Sequence, residues 1–255
     1  RLLDPLTARG DDPKFFTTPD GKRAYLPYEH TICISEYWNW FQKKDIRPVR
    51  KLDELEELFY WCTANDNLLV INMPPDVSGR IRPHERQRIL QLADRLGIRG
   101  GTTPLPGAPV NQALGAKAEA TSTYDADHGA AFALDADLGS RWAAKDNTPE
   151  LTFAPAAAKE FTFDRIAIHE YRDSKDKGDG FSALRESRIQ EYTLELFRAG
   201  EWQPIHYGFR IDAVEVIRFP EILHGEKLRL RVIKANAPPS IHHIAVGVAA
   251  SAKPR

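Results

Sequence analysis

Three side chains in the first part of the chain have the types and the spacing that sugar chemistry needs. Glu29 lies in an apolar segment, and Trp38 and Trp40 follow it in the next segment of the chain. A carboxyl group can give a proton to a glycosidic oxygen, and aromatic ring faces stack on pyranose rings or on methyl groups. The spacing alone also fits a plainer alternative, in which Glu29 pairs with an arginine and both tryptophans belong to the core.

The elements that must position these side chains alternate between strand and helix. Residues 28–35 are apolar and β-branched enough for a short strand, and apolar residues at helical spacing predict a helix over 52–63. The continuous apolar run 68–71 predicts a strand that is buried on both faces. A helix opened by Pro83 follows and ends near Gly97. After a predicted loop over residues 1–27, this order indicates an α/β region with parallel strands.

The hydrophobic period changes after residues 100–107, which have the Gly and Pro content of a linker. Residues 192–196 and 227–232 alternate between apolar and polar types, which is typical of strands with one buried face. Ala199 and Gly200 predict a tight hairpin between two such strands. The second region is therefore predicted to be an all-β, antiparallel β-sandwich. Its expected core residues are Leu194, Leu196, Leu228, Leu230 and Val232.

Composition excludes several classes of protein. The 255 residues include 35 Lys and Arg against 36 Asp and Glu, a formal net charge of −1. Neither region is basic enough for nucleic-acid binding to be its main work. The longest apolar stretch, 68–73, is too short to span a bilayer. Two cysteines, Cys33 and Cys62, exclude a disulfide framework and a cysteine-based zinc site. We therefore expect neither nucleic acid nor a membrane span.

Two motifs in a fixed order resemble the α-L-fucosidases, a family of glycoside hydrolases. The first is Y-E at 28–29 followed by W-N-W at 38–40, and the second is NLLVINMPPD at 67–76 followed by Gly79. The resemblance covers roughly residues 25–98 and implies a partial (β/α)₈ barrel, made of its C-terminal strands and helices. It also implies that Glu29 is the catalytic acid/base carboxyl group. Trp38 and Trp40 are the substrate-binding candidates beside it.

The segment LDADLGSRW at 134–142 resembles the signature of discoidin-like sandwiches (coagulation factor 5/8 type C), which have a jelly-roll fold. Related sandwiches hold a structural Ca²⁺ near this turn, which makes Asp135, Asp137 and Ser140 candidate ligands. The glutamate that this family has late in its sequence is replaced here by histidine at 242–243, and imidazole is a poor calcium ligand. We therefore expect no cofactor and no metal. A calcium site near Asp135 and Asp137 stays open as the alternative to an ordinary Asx turn.

Together the two resemblances imply the C-terminal portion of a secreted or periplasmic α-L-fucosidase. Such an enzyme would remove terminal α-L-fucose from glycans, in α-1,3 or α-1,4 linkage, with retention. Retaining glycosidases use two carboxyl groups about 5–5.5 Å apart, and the resemblance implies a nucleophilic aspartate on an earlier strand that this sequence lacks. Expected partners are a fucosylated glycan and the missing N-terminal catalytic segment.

The expected domains are the barrel portion over 1–99, a linker over 100–109 and the discoidin-like sandwich over 110–255. The alternative, from another class of protein, is a non-catalytic carbohydrate-binding or adhesion module in which the sandwich is the working part.

Overall fold

The computed structural model describes residues 15–25, 29–36, 38, 40–42, 48–63, 67–98, 110–135, 140–171, 187–211 and 214–248. These residues fall into two compact units, 15–98 and 110–248. The expected linker over 100–109 lies outside the described residues, so its assignment stays a proposal. Within the described part of the chain, no helix is both long and apolar enough to cross a membrane.

The first unit begins with a hairpin that the sequence analysis did not predict. β1 (Phe15–Thr17) and β2 (Arg23–Tyr25) pair in antiparallel fashion. The turn between them is closed by the N–H of Gly21, which donates to the carbonyl of Thr18 at 2.8 Å. The predicted loop over 1–27 is therefore wrong for residues 15–25. Strands of three residues are too short to show the alternation by which a strand is recognised.

The rest of the first unit has the predicted order of strand, helix, strand and helix. β3 (Glu29–Cys33) pairs in parallel with β4 (Leu68–Asn72), and α1 (Leu52–Thr63) lies between them in sequence. α2 (Pro83–Arg95) follows, with proline in its first turn, where no backbone N–H is needed. The predicted helix over 52–63 and the parallel pairing are confirmed.

The predicted burial of β4 on both faces is wrong for the described residues. Leu68 is 49% exposed, and the other residues of the strand are half-buried. Both faces of a strand are buried only when neighbouring strands and covering helices lie on every side of it. Within the described part of the chain, β4 pairs with β3 alone.

The second unit is an antiparallel β-sandwich, as predicted. Its strands are β5 (Lys117–Ala120), β6 (Trp142–Ala143), β7 (Glu150–Ala154), β8 (Phe161–Glu170), β9 (Ile189–Arg198), β10 (Glu201–Gly208), β11 (Val214–Gly225), β12 (Lys227–Ala235) and β13 (Ser240–Gly247). One sheet has the order β10-β9-β12-β7-β5, and the other has the order β11-β8-β13-β6. The hairpin between β9 and β10 turns at Ala199 and Gly200, which both have positive φ angles.

The two sheets share one apolar core. Phe153 of the first sheet packs edge-to-face on Phe161 of the second, with ring centroids 5.7 Å apart. Trp142 is fully buried, and its indole N–H donates to the carbonyl of Ser122 at 3.1 Å. The predicted core residues are buried, each at most 2% exposed: Leu194, Leu196, Leu228, Leu230 and Val232.

Candidate functional site

The loops that follow β3 and β4 lie together at the carboxyl ends of these two strands. The N–H of Phe41, in the loop after β3, donates to the carbonyl of Pro75, in the loop after β4, at 2.9 Å. In α/β barrels the active site lies at this end of the parallel strands, because the loops there bring side chains from several strands together. We refer to these two loops as the carboxyl edge.

An aromatic platform, formed by Trp38, Trp40 and Phe41, lies at the carboxyl edge. The two indole rings are stacked, with centroids 6.2 Å apart and planes only 5° apart. Phe41 is tilted against Trp40 at 6.4 Å. Trp40 is 46% exposed and Phe41 is 61% exposed, so neither is a core residue. The platform therefore offers open ring faces of the kind that stack on sugars.

A buried arginine connects the loop of the aromatic platform to the loop after β4. The guanidinium of Arg82, which is 5% exposed, donates to the carbonyls of Gln42 and Pro74, both at 3.1 Å. Its Nη1 also lies 3.8 Å from Oε2 of the fully buried Glu85, whose Oε1 accepts from the hydroxyl of Ser35 at 2.7 Å. Sequence reasoning missed this pair, because two opposite charges three positions apart at a helix start look like a surface feature.

Glu29 lies at the end of β3 opposite the aromatic platform. It is the first residue of the strand, and it pairs with Leu68, the first residue of β4. Since a five-residue strand is about 13 Å long, the backbone of Glu29 lies about that far from the start of the loop that follows β3, and the expected position of its carboxyl group near Trp38 or Trp40 stays a prediction. The periodic pattern predicts a strand without giving its ends. The ends of the strand decide which residue lies at the carboxyl edge.

The carboxylate of Glu29 accepts a hydrogen bond from the hydroxyl of Thr31 at 2.5 Å. Within the described residues, no arginine forms an ion pair with it. The alternative in which Glu29 pairs with an arginine therefore has no support in this part of the chain. The role of Glu29 as an acid stays a hypothesis.

Two other carboxylates lie in the loops of the carboxyl edge. Glu36 is exposed and precedes Trp38 by two positions. Asp76 accepts from the hydroxyl of Ser78 at 2.7 Å and from the backbone N–H groups of Ser78 and Arg80. These hydrogen bonds hold the pKa of Asp76 below its usual value, and the bond from the Ser78 hydroxyl has the largest effect. Because an ionised carboxylate has no proton to give, Asp76 is poorly suited to an acid role.

The two cysteines do not supply a nucleophile at this site. Cys33 and Cys62 are both buried, and neither forms a disulfide. Burial raises the pKa of Cys33, and it raises the pKa of Cys62 to about 12. Both thiols therefore stay protonated at neutral pH, whereas the reactive form is the thiolate.

The loop considered for calcium contains a hydrogen-bonded carboxylate. The hydroxyl of Ser140 lies 2.9 and 2.8 Å from the two carboxylate oxygens of Asp135. Nδ1 of His242 lies 3.0 Å from the carbonyl oxygen of Ser140, and Asp137 lies outside the described residues. Among the residues that the structure covers, no group of three or more His, Cys, Asp or Glu could hold a metal. The arrangement fits a hydrogen-bonded loop better than a shell of six to eight oxygens.

Comparison with known proteins found relatives of two kinds. No family model matches the sequence. The chain is 21% identical over 240 residues to alpha-L-fucosidase 1 of Arabidopsis thaliana, which covers 91% of this chain and 43% of that protein. A fucosidase structure from Ruminococcus gnavus, in complex with fucose, is 19% identical and covers 91% of this chain and 43% of its own, with a TM-score of 0.47. Chitosan-binding module 1 of a Paenibacillus chitosanase/glucanase is 17% identical and covers 54% of this chain and 98% of its own, with a TM-score of 0.44.

The resemblance inferred from the two motifs is thus confirmed in sequence, since the similarity to an α-L-fucosidase extends over nine-tenths of the chain. The chain spans less than half the length of that relative.

Proposed function

We propose that this chain is the C-terminal portion of a secreted or periplasmic α-L-fucosidase, a retaining glycoside hydrolase that acts on α-1,3- or α-1,4-linked fucose. In this proposal, residues before about 99 are part of a (β/α)₈ barrel. The aromatic platform is the observation that carries it. A parallel strand pair with two stacked tryptophans at its carboxyl ends, one of them exposed, is a suitable sugar subsite, in a chain that is similar to a fucosidase in sequence.

The platform's role would be to hold the sugar ring in place. Trp38 and Trp40 stack with nearly parallel ring planes, and the methyl group and the apolar face of a 6-deoxy sugar can pack against the exposed ring of Trp40. The hydrogen bonds from Arg82 keep this loop beside the loop after β4. Binding energy gained there positions the glycosidic bond for the reacting groups.

We revise one part of the proposal, which is the assignment of the catalytic carboxylates. A retaining glycosidase needs a nucleophile and an acid/base group about 5–5.5 Å apart. We propose that the nucleophile comes from a segment outside these 255 residues. For the acid/base group, Glu36 has the better position, because it lies in the loop of the aromatic platform, whereas Glu29 begins the strand at its far end.

The test compares Glu36→Gln with Glu29→Gln in the full-length protein, with its upstream region present. Two substrates are used: an aryl α-L-fucoside with a good leaving group, and a fucosyl disaccharide with a poor one. Loss of a general acid slows the second substrate selectively, by about 10²–10⁴-fold. We expect this selective loss for Glu36→Gln and a change of less than about tenfold for Glu29→Gln. The reverse result would restore Glu29 as the acid, and equal losses on both substrates would indicate a binding role.

The 255-residue chain alone should not hydrolyse either fucoside, because it lacks the proposed nucleophile. Turnover by the short chain that is abolished by changing one of its own carboxylates would show that the nucleophile is misplaced. A full-length protein that binds glycans but hydrolyses no fucoside would favour the alternative, a non-catalytic carbohydrate-binding or adhesion module.

A further inference from the structure

A cleft of about 420 Å³ opens in the sandwich, and no motif of the sequence pointed to it. The aromatic and charged side chains that line it are those of Tyr124, Arg141, Lys145, Tyr171 and Arg188. We call this site the basic cleft. They come from four separate parts of the sequence, so their meeting is a product of the sandwich topology. The volume falls within the range of small-ligand sites, about 300–1,000 Å³.

The charge of the basic cleft is uniformly positive in the described part of the chain. Arg141, Lys145 and Arg188 line it, and none of its described lining residues is acidic. The remaining lining residues are tyrosines, Ala, Pro and Ser, none of them an acidic residue type. Like charges in a concave site repel each other and focus a positive potential, which favours a ligand of opposite sign.

The two arginines are held beside one tyrosine ring. The guanidinium carbon of Arg141 lies 4.1 Å from the centroid of the Tyr171 ring, and that of Arg188 lies 6.0 Å from the same centroid. Nη1 of Arg188 donates to the carbonyl of Pro238 at 2.9 Å. The Nε–H group of Arg141 is buried and has no hydrogen-bond partner among the described residues. The guanidinium of Arg141 thus presents a donor that matches the oxygens of a carboxylate or sulfate, and Arg188 adds a second positive charge beside it.

The wall of the basic cleft is fixed by backbone hydrogen bonds. The N–H of Tyr171 donates to the carbonyl of Ser240 at 2.9 Å, and the N–H of Tyr124 donates to the carbonyl of Ala143 at 2.7 Å. The site is thus largely preorganised, which lowers the entropic cost of binding.

We infer that the basic cleft binds an acidic glycan through an oxyanion, a carboxylate or a sulfate, on one of its sugar rings. The arginines and Lys145 contact the oxyanion. The ring of Tyr124, a residue that is 58% exposed, supplies an apolar surface for the sugar beside it. This inference concerns the sandwich and does not depend on the proposed fucosidase activity.

The experiment measures retardation of the 255-residue chain in native gels that contain one of four polysaccharides. Polygalacturonate is compared with its methyl ester, and dextran sulfate is compared with dextran, so that each pair shares a backbone and differs in charge. We expect retardation by at least one charged polymer and by neither neutral one. The pair that shows the difference identifies the oxyanion. Equal binding of charged and neutral polymers, or no binding of any, would overturn the inference.

Substitutions then separate the basic cleft from general attraction between a polyanion and any surface cation. Arg141→Gln and Arg188→Gln should each weaken binding by about tenfold or more, as expected for loss of a charge-assisted hydrogen bond. Lys145→Gln should weaken it several-fold without a change in folding, because this side chain is exposed. The matched control is Arg198→Gln in the β9–β10 hairpin, where the arginine is exposed and donates to Gln203.

Binding to Arg198→Gln should stay within about twofold of the wild-type value, as for a surface position outside the site. A loss for Arg198→Gln as large as that for Arg188→Gln would overturn the inference. Binding of both Arg188→Gln and Lys145→Gln at the wild-type level would also overturn the inference. Thermal unfolding of each variant identifies any loss of binding that comes from misfolding.

Discussion

The two units of this chain differ in how completely their sheets are covered. In the sandwich, two sheets enclose one core, and Phe163 and Leu230 have no exposed surface. In the first unit, β4 has a single paired neighbour among the described residues, and its Leu68 is 49% exposed. The interior of the first unit also contains a buried ion pair, Arg82 with Glu85, beside the aromatic platform.

This difference shows that an apolar run predicts a strand but does not show whether both faces of the strand are covered. The alternating strands of the sandwich find their apolar partners within the described chain, so the five core residues that the alternation predicts are buried. The unbroken run in β4 is suited to a strand covered on both sides, which the described residues do not provide. A barrel completed by a further segment, as we propose, would provide that cover.

The largest expected effect tests the polar interior of the first unit. Arg82→Met removes a buried cation and leaves the carboxylate of Glu85 in the interior without it, which should cost about 3–5 kcal/mol of unfolding free energy. Urea denaturation followed by tryptophan fluorescence measures this loss. The control is Arg80→Met, two positions away and exposed, which should change stability by about 0.5 kcal/mol or less. Similar values for both variants would mean that the buried pair contributes nothing particular.

The second prediction compares one substitution in the two units. Leu230→Ala in the sandwich core should cost about 2–5 kcal/mol, because it removes fully buried methyl groups and leaves a cavity. Leu68→Ala should cost less than about 1 kcal/mol, because that side chain is half exposed. Denaturation monitored by far-UV circular dichroism gives both values. Repeating Leu68→Ala in the full-length protein sharpens the comparison, since a larger cost there would indicate that a further segment covers β4.

The smallest expected effect concerns pH. Because the hydrogen bonds from Ser78 and Arg80 hold the pKa of Asp76 below its usual value, the ionised form stabilises the turn after β4. That contribution is present at pH values above the pKa of an aspartate in the unfolded chain and is lost as the pH falls through the lower, folded-state pKa. Asp76→Asn should therefore reduce the acid sensitivity of the first unit, and Ser78→Ala should do so in part. Unfolding curves measured between neutral pH and pH 2 test this, and an unchanged acid limb in both variants would contradict it.

Much of the local structure could be predicted from the sequence, for reasons visible in particular elements. The stripe of Leu55, Phe59 and Cys62 predicted α1 with its bounds, since a helix needs only chain neighbours three and four positions apart. The alternation in β9 and β12 predicted which residues face the core, since strand side chains alternate strictly between faces. The hairpin at Ala199 and Gly200 was predictable because glycine adopts positive φ readily and lies here between two apolar segments, whereas the positive φ of Ala199 is seen only in the structure.

The functional geometry depended on contacts between residues that are distant in sequence. Nothing in the pattern around Glu29 says that β3 begins there, and the hydrogen bond from Phe41 to Pro75 is what joins the aromatic platform to the loop after β4. The basic cleft needs Arg141 and Arg188 at one tyrosine ring, although dozens of residues separate them in the chain. Local periodicity is set by neighbours along the chain and can be read from the sequence alone. The sequence of this protein thus determined its two helices, its longer strands and the faces that the sandwich strands bury. The tertiary structure decided which end of a strand carries a site and which charges meet, because both depend on how distant segments pack.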